Sequence, residues 1–348
     1  MSDRRDEGLS RRAFVRGVAV TALGTAAGLA GPGCRRARAG KAGTDGAAAE
    51  GAAGTAGREA ATAGASGAES PDGGTHVAGP AADEAGAPPA GPRARVVLVR
   101  DEAAVDEAGR IDAEVVGRMV DDAVCGVVEV DDPVEAWRTL VAPGDVVGIK
   151  TNVWDSLPTP AAVESRLRER ILGAGVPESS LFLDDRGALE TMSACTALVN
   201  ARPARSHHWA GMGGCIKNYV PFVEEPSAFH PDSCADLGAI WTLPIVRDKT
   251  RLNLLVVLTP LFYGRGPHHF DRRFVWAYKG ILASRDPVAV DAVGAELLRR
   301  KRMAYFGEDR PMVSTKHIGF AETRHGLGVA DLARIDLVRS GWTQEPLV

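Results

Sequence analysis

The chain has 348 residues, 45% of them hydrophobic and 25% charged, with 40 glycines, 21 prolines and five cysteines. This balance excludes a collagen repeat, a coiled coil, a multi-span membrane protein and a wholly unfolded chain. The formal net charge of -4 creates no field that would gather phosphate backbones, so nucleic acid is not an expected partner.

Residues 1–92 hold a single aromatic side chain, Phe14, and read as a unit apart from the rest. Ser10-Arg11-Arg12-Ala13-Phe14-Val15-Arg16 sets two adjacent arginines before a weakly apolar run, residues 17–30, in the arrangement of a twin-arginine signal. That run is too short to span a hydrocarbon core of roughly 30 Å. Residues 1–39 are therefore expected to be a signal peptide cleaved after Ala37-Arg38-Ala39, with the twin-arginine translocase as partner and a periplasmic or otherwise extracytoplasmic, secreted location. Cys34 offers lipid anchoring as an alternative, although Gly31 stands where such a site wants an aliphatic residue. Residues 40–92, dominated by Ala and Gly, bury too little apolar surface to offset the entropy of ordering, which predicts a disordered linker.

Residues 93–348 alternate strand and helix patterns. Arg95 to Val99 is a Val-rich strand, and Asp112 caps a helix to Val124 with apolar residues at helical spacing. Asp132-Pro133 opens a short helix, Val146 to Lys150 forms a strand, Thr159-Pro160 begins a helix to Leu172, and Leu181 to Leu183 is a third strand. Further on, the pattern predicts a helix over Leu189 to Asn200, a strand over Ala204 to His207, a Gly-rich loop at Gly211 to Gly214 and a helix over Pro231 to Leu237. Strands follow at Trp241 to Val246, Leu252 to Leu258 and Phe274 to Leu282. Asp286-Pro287 opens a helix to Arg300, Thr315 to Arg324 is helical, and Ile335 to Val338 is the last strand. The fold class is α/β, a mostly parallel or mixed sheet covered by helices.

Val147-Gly148-Ile149-Lys150-Thr151-Asn152, Ile216-Lys217-Asn218, Val246-Arg247-Asp248, Gly266-Pro267 and the stretch from Ile281 through Asp286-Pro287 to Val293 resemble the domain of unknown function DUF362, over about residues 95–340. The resemblance implies an α/β domain and no activity. The family's Lys-Thr-His corresponds here to Arg205-Ser206-His207, which trades a point charge for a planar fork. The ferredoxin-type cluster domain of some relatives is missing, and Cys125, Cys195, Cys215 and Cys234 show no C-x-x-C spacing, so no iron–sulfur motif is present in this chain. In an oxidising compartment one or two disulfides among Cys195, Cys215 and Cys234 compete with buried free thiols.

In an open α/β sheet the loops beyond the carboxyl ends of the strands converge on one crevice. Lys150, Asn152, Lys217, Asn218 and Asp248 are the expected substrate-binding groups, with His207 or Asp291 transferring a proton. Asp184, Asp185 and His230 belong to the same polar set. Asp286 reads as a helix cap, and Asp291, set among apolar residues, needs a partner such as Lys150 or Lys217. His207, His230 and His268 or His269, with Asp248 or Asp271, would make a zinc or iron site. Gly211-Met212-Gly213-Gly214 has the look of a phosphate cradle without the full fingerprint. The function expected is an exported enzyme, redox chemistry being the favoured subclass, acting on a small anionic substrate. The alternative is a non-catalytic ligand- or metal-binding protein serving an envelope redox or assembly partner.

Overall fold

A computed structural model describes residues 91–266 and 269–348, which lie in one compact unit. The stretch expected to be a signal peptide, the expected linker up to residue 90, Cys34 and His268 fall outside the described residues. In chain order the elements are β1 (Ala94–Arg100), α1 (Ala113–Val128), α2 (Pro133–Arg138), β2 (Val147–Lys150), α3 (Ala161–Gly173), β3 (Leu181–Asp184), α4 (Ala188–Thr191), β4 (Ala197–His207), β5 (Gly211–Gly213), α5 (Pro231–Cys234), α6 (Gly238–Trp241), β6 (Thr250–Leu261), β7 (Gly280–Ser284), α7 (Pro287–Phe306), α8 (Lys316–His325) and β8 (Ile335–Gly341). No described helix is long and apolar enough to cross a membrane.

Seven strands form one sheet in the order β3-β2-β4-β6-β7-β1-β8, and β5 joins it against β4. Only β7 on that path runs against its neighbours, so the sheet is mixed and mainly parallel. Alternation along β1 feeds two cores: Val96 and Leu98 face the side covered by α7, whereas Val97 and Val99 face the side covered by α1. Asp112 accepts the Val115 N–H and so starts α1, which turns Val116, Met119, Val120 and Val124 onto the sheet. Asp286 likewise caps α7 through the N–H groups of Val288 and Ala289, its other oxygen reaching the Val329 N–H.

Four stretches differ from the sequence expectation. The segment expected to be a helix over Leu189 to Asn200 yields one turn, α4, and then enters β4, an eleven-residue strand buried throughout. Trp241 to Val246 is not a strand: Trp241 ends α6, stacks on Tyr219 and donates to the Ile216 carbonyl. Short apolar runs are ambiguous by periodicity, and here packing onto Tyr219 decides. Of Phe274 to Leu282 only Gly280 onward is strand, because the aromatic residues before it pack on one another around Phe262. The glycines at 211–213 are not a loop but β5, paired antiparallel to the end of β4.

Candidate functional site

The long strand β4 forms the floor of a cleft of about 280 Å³ beyond the carboxyl ends of β2 and β3. Pro203 lacks a ladder N–H, and the β4–β6 register slips between Pro203 and Arg205. A slip of this kind changes which side of the strand later residues face, so Arg202 and Arg205, three apart, both line the cleft. The Arg202 guanidinium and the stem of Arg205 lie over Gly213 of β5. A Cβ there would meet Arg202 Nη2 at 2.9 Å and Arg205 Cγ at 3.3 Å, so this glycine is what leaves the arginines room.

The two arginines are 4% and 3% exposed. Arg205 donates to Asn152 Oδ1 at 2.9 Å and to the Leu157 carbonyl at 3.3 Å, and it lies 4.5 Å from the Trp154 ring centroid. Its Nε has no partner. Arg202 donates to no acceptor among the described residues, and its Nε is fully buried. Burial pushes both groups below the ordinary arginine range, and Arg202 further depresses Arg205. Arginine does not lose its proton in proteins, so two charges stay in the cleft.

Lys217 adds a third. It stands in the 3-10 turn Ile216–Phe222, is 6% exposed, and its ammonium bonds only the Cys234 thiol at 3.6 Å. Burial lowers its pKa, the neighbouring thiol opposes that, and Arg202 and Arg205 add to the lowering. Asn218 beside it donates to Asn200 Oδ1 at 2.8 Å and to the Lys150 carbonyl at 3.1 Å, tying the turn to β4 and β2. Asn200 in turn reaches Asn253 on β6 at 3.0 Å.

The structure brings Asn152, His207, Lys217, Asn218 and His230 together around the cleft. Lys150 lies beneath it, fully buried and ion-paired with Asp185, with its pKa lowered to about 8 by burial against the opposing pull of that carboxylate. Asp185 accepts the Val153 N–H through its other oxygen. Asp291 does not reach the cleft. Its oxygens accept the Cys215 and Ile216 N–H groups at 2.6 and 2.9 Å, so its partner is backbone rather than Lys150 or Lys217. Asp248 is placed at the amino end of β6, its side chain 93% exposed, away from the carboxyl ends that build the cleft. Asp286 is a cap, and Gly214 backs onto the Asp291 carboxylate rather than opening toward a ligand.

His207, at the end of β4, accepts the Trp209 N–H at its Nδ1 at 3.2 Å, so its neutral ring carries the proton on Nε2. Burial and the nearby Lys217, Arg202, His208 and Arg205 hold its pKa far below the ordinary value. His230, half-buried, lies 4.1 Å from the Trp209 ring. Among the described residues no group of three His, Cys, Asp or Glu side chains is arranged to hold a metal ion. The four described cysteines are free thiols, three of them buried.

Sequence reasoning placed the loop ends but passed over Arg202, Trp154 and His317. His317 opens α8, is wholly buried, and neither ring nitrogen has a partner. Burial, then Lys217 and Arg202, lower its pKa to about 3. A base depressed in the fold contributes stability above its unfolded pKa of about 6.5 that is lost as pH falls toward the folded value, at about 1.4 kcal/mol per pH unit. The H317L variant is expected to gain on the natural chain by that slope between pH 6 and 4, read from urea unfolding at each pH.

No curated protein and no solved structure matches the chain. A family model does match, over a narrower span than the motifs suggest, from the turn before β3 to the middle of α7, and it takes in Arg202, Arg205, His207, Lys217, His230 and Asp291. The family it represents is described as Domain of unknown function (DUF362), and the match covers residues 174–296.

Proposed function

We propose that the cleft binds a small anionic substrate and that the chain is an exported enzyme acting on it. One observation carries the reading: Arg202, Arg205 and Lys217 are buried and no carboxylate lies within ion-pairing distance of any of them among the described residues. Buried charge without a counter-charge costs several kcal/mol, and folds retain it where a ligand supplies the partner. Arg202, Arg205 and Lys217 hold the anion in this reading. His207, neutral and with Nδ1 engaged, turns its Nε2–H on the ligand and polarises it. Lys217, its pKa lowered by burial and only a thiol beside it, is the group placed to exchange a proton with the ligand. The twin-arginine pattern at Ser10–Arg16 supports the extracytoplasmic location.

A binding or assembly role is the second reading, and one feature favours it. Among the described residues the one carboxylate lining the cleft, Asp185, is already engaged by Lys150 and the Val153 N–H, so the site is rich in donors and poor in free bases. Protein purified through its own export route and then denatured should release a small anion, identifiable by mass spectrometry. Incubation of that anion with a catalytic quantity of the chain is expected to convert it, and K217M to slow the conversion by at least about 100-fold. An anion returned unchanged would leave the binding role. Protein that releases nothing and whose melting no small anion alters would remove both.

A further inference from the structure

The charges and donors of the cleft narrow the class of anion it can hold. From them we infer that the ligand's head group is a tetrahedral dianion, a phosphate or sulfate group, bound with no proton on its oxygens. The inference rests on the anion-binding reading and adds to it the class of head group.

Positive charge in the cleft exceeds what one carboxylate can offset. Lys150 is matched by Asp185, which leaves the three buried charges of Arg202, Arg205 and Lys217 uncompensated, and the exposed Arg186 adds positive charge at the rim. A carboxylate offsets one of three positive charges, whereas a dianion offsets two.

The donors also differ in direction. A carboxylate presents two coplanar oxygens, which a single guanidinium fork satisfies. Here the donors come from separate places: two forks from β4, an ammonium from the 3-10 turn, and the His207 Nε2–H from the end of β4. Oxygens pointing in several directions use such a set.

Acceptors in the cleft are few. Asp185 is occupied at both oxygens, Asn152 Oδ1 takes the Arg205 N–H, and Asn218 Oδ1 lies 3.5 Å from Asn152 Nδ2. The acceptors that remain are the second lone pairs of these oxygens and the half-buried His230 ring, against two guanidinium forks and an ammonium, so the balance of the cleft favours oxygens without a proton. The fully deprotonated form is therefore selected.

Calorimetric titration of the full chain at constant ionic strength tests this with sulfate, inorganic phosphate, glycerol phosphate, acetate and succinate. Sulfate and the phosphates are expected to bind at least tenfold more tightly than either carboxylate. A phosphomonoester loses its second proton near pH 6, so glycerol phosphate should gain on sulfate about fivefold or more from pH 5 to 7. Sulfate, which stays dianionic, controls for titration of Lys217, His207 and His230. Glycerol phosphate binding more tightly than inorganic phosphate assigns the group to an ester, and the reverse order to the free ion; both support the class. Carboxylates matching sulfate, or an ester that does not gain on it, would overturn the tetrahedral dianion and leave the anion cleft standing. Failure of every anion to bind would remove both.

Discussion

The R202M variant is expected to melt above the natural chain when no ligand is present, and to bind anions at least about 100-fold more weakly. The two effects have one origin. In the folded chain the Arg202 guanidinium is taken from water, its Nε meets no acceptor, and the nearest carboxylates act on it only through space. Methionine keeps much of the stem's volume and removes the buried charge, a change worth about 1–4 kcal/mol in favour of folding where an ion is replaced by a packed apolar group. For a domain of this size each kcal/mol is about 2–4 °C in melting temperature. The same substitution deletes a desolvated charge partner of the ligand, which costs about 2–5 kcal/mol of affinity, a factor of 100 being about 2.7.

R205M is the contrast. Arg205 holds Asn152 and the Leu157 carbonyl and stacks on Trp154, so its loss should lower melting as well as binding. Differential scanning calorimetry with and without sulfate reads both. R202M melting below the natural chain would show that Arg202 holds the fold together, and the charge argument for the cleft would lose its strongest member.

How far the site could be read from sequence depended on which physical signal each residue carries. Lys150 and Asn152 follow an apolar run ending in polar residues, the mark of a strand's carboxyl end, and the structure puts them there. Asp112 and Asp286 precede helical patterns and cap them. Arg202 gave no such signal. Residues 189–200 carry helix-forming side chains, and the extended course that begins at Ala197 is imposed by pairing with β2 and β6, a long-range effect that no local window contains. The slip after Pro203 then brings Arg202 and Arg205 to one cleft, against simple alternation. Asp291 showed the reverse problem: its need for a partner was evident, but backbone N–H groups from a turn 75 residues away leave no mark in the sequence. Asp248 was singled out through a motif of the resemblance, and only the topology shows that it stands at the amino end of its strand.

Asp291 also provides the second large effect, because the turn bearing Lys217 and Asn218 is fastened to α7 through it. Its two oxygens take the Cys215 and Ile216 N–H groups, and Gly214 has no Cβ because one would collide with that carboxylate. D291A leaves two buried N–H donors unpaired at about 1–3 kcal/mol each, so a loss of about 3–5 kcal/mol is expected, with sulfate binding falling as the turn loosens. D291N separates charge from shape. Burial outweighs the two N–H donors and raises the Asp291 pKa to about 7. A carboxyl raised in the fold above its unfolded value of about 3.9 contributes stability that is fully present below that value and is lost as pH rises through the folded one. The natural chain should therefore lose ground to D291N between pH 4 and 7 by up to about 1.4 kcal/mol per unit, while His317 pulls the natural chain's own curve the other way over the lower part of that range. Urea unfolding of both proteins at pH 4, 5.5, 7 and 8 isolates the difference. A constant gap would show that Asp291 keeps an ordinary acidity in the fold, and a D291A chain as stable as the natural one would detach this carboxylate from the turn it is seen to hold.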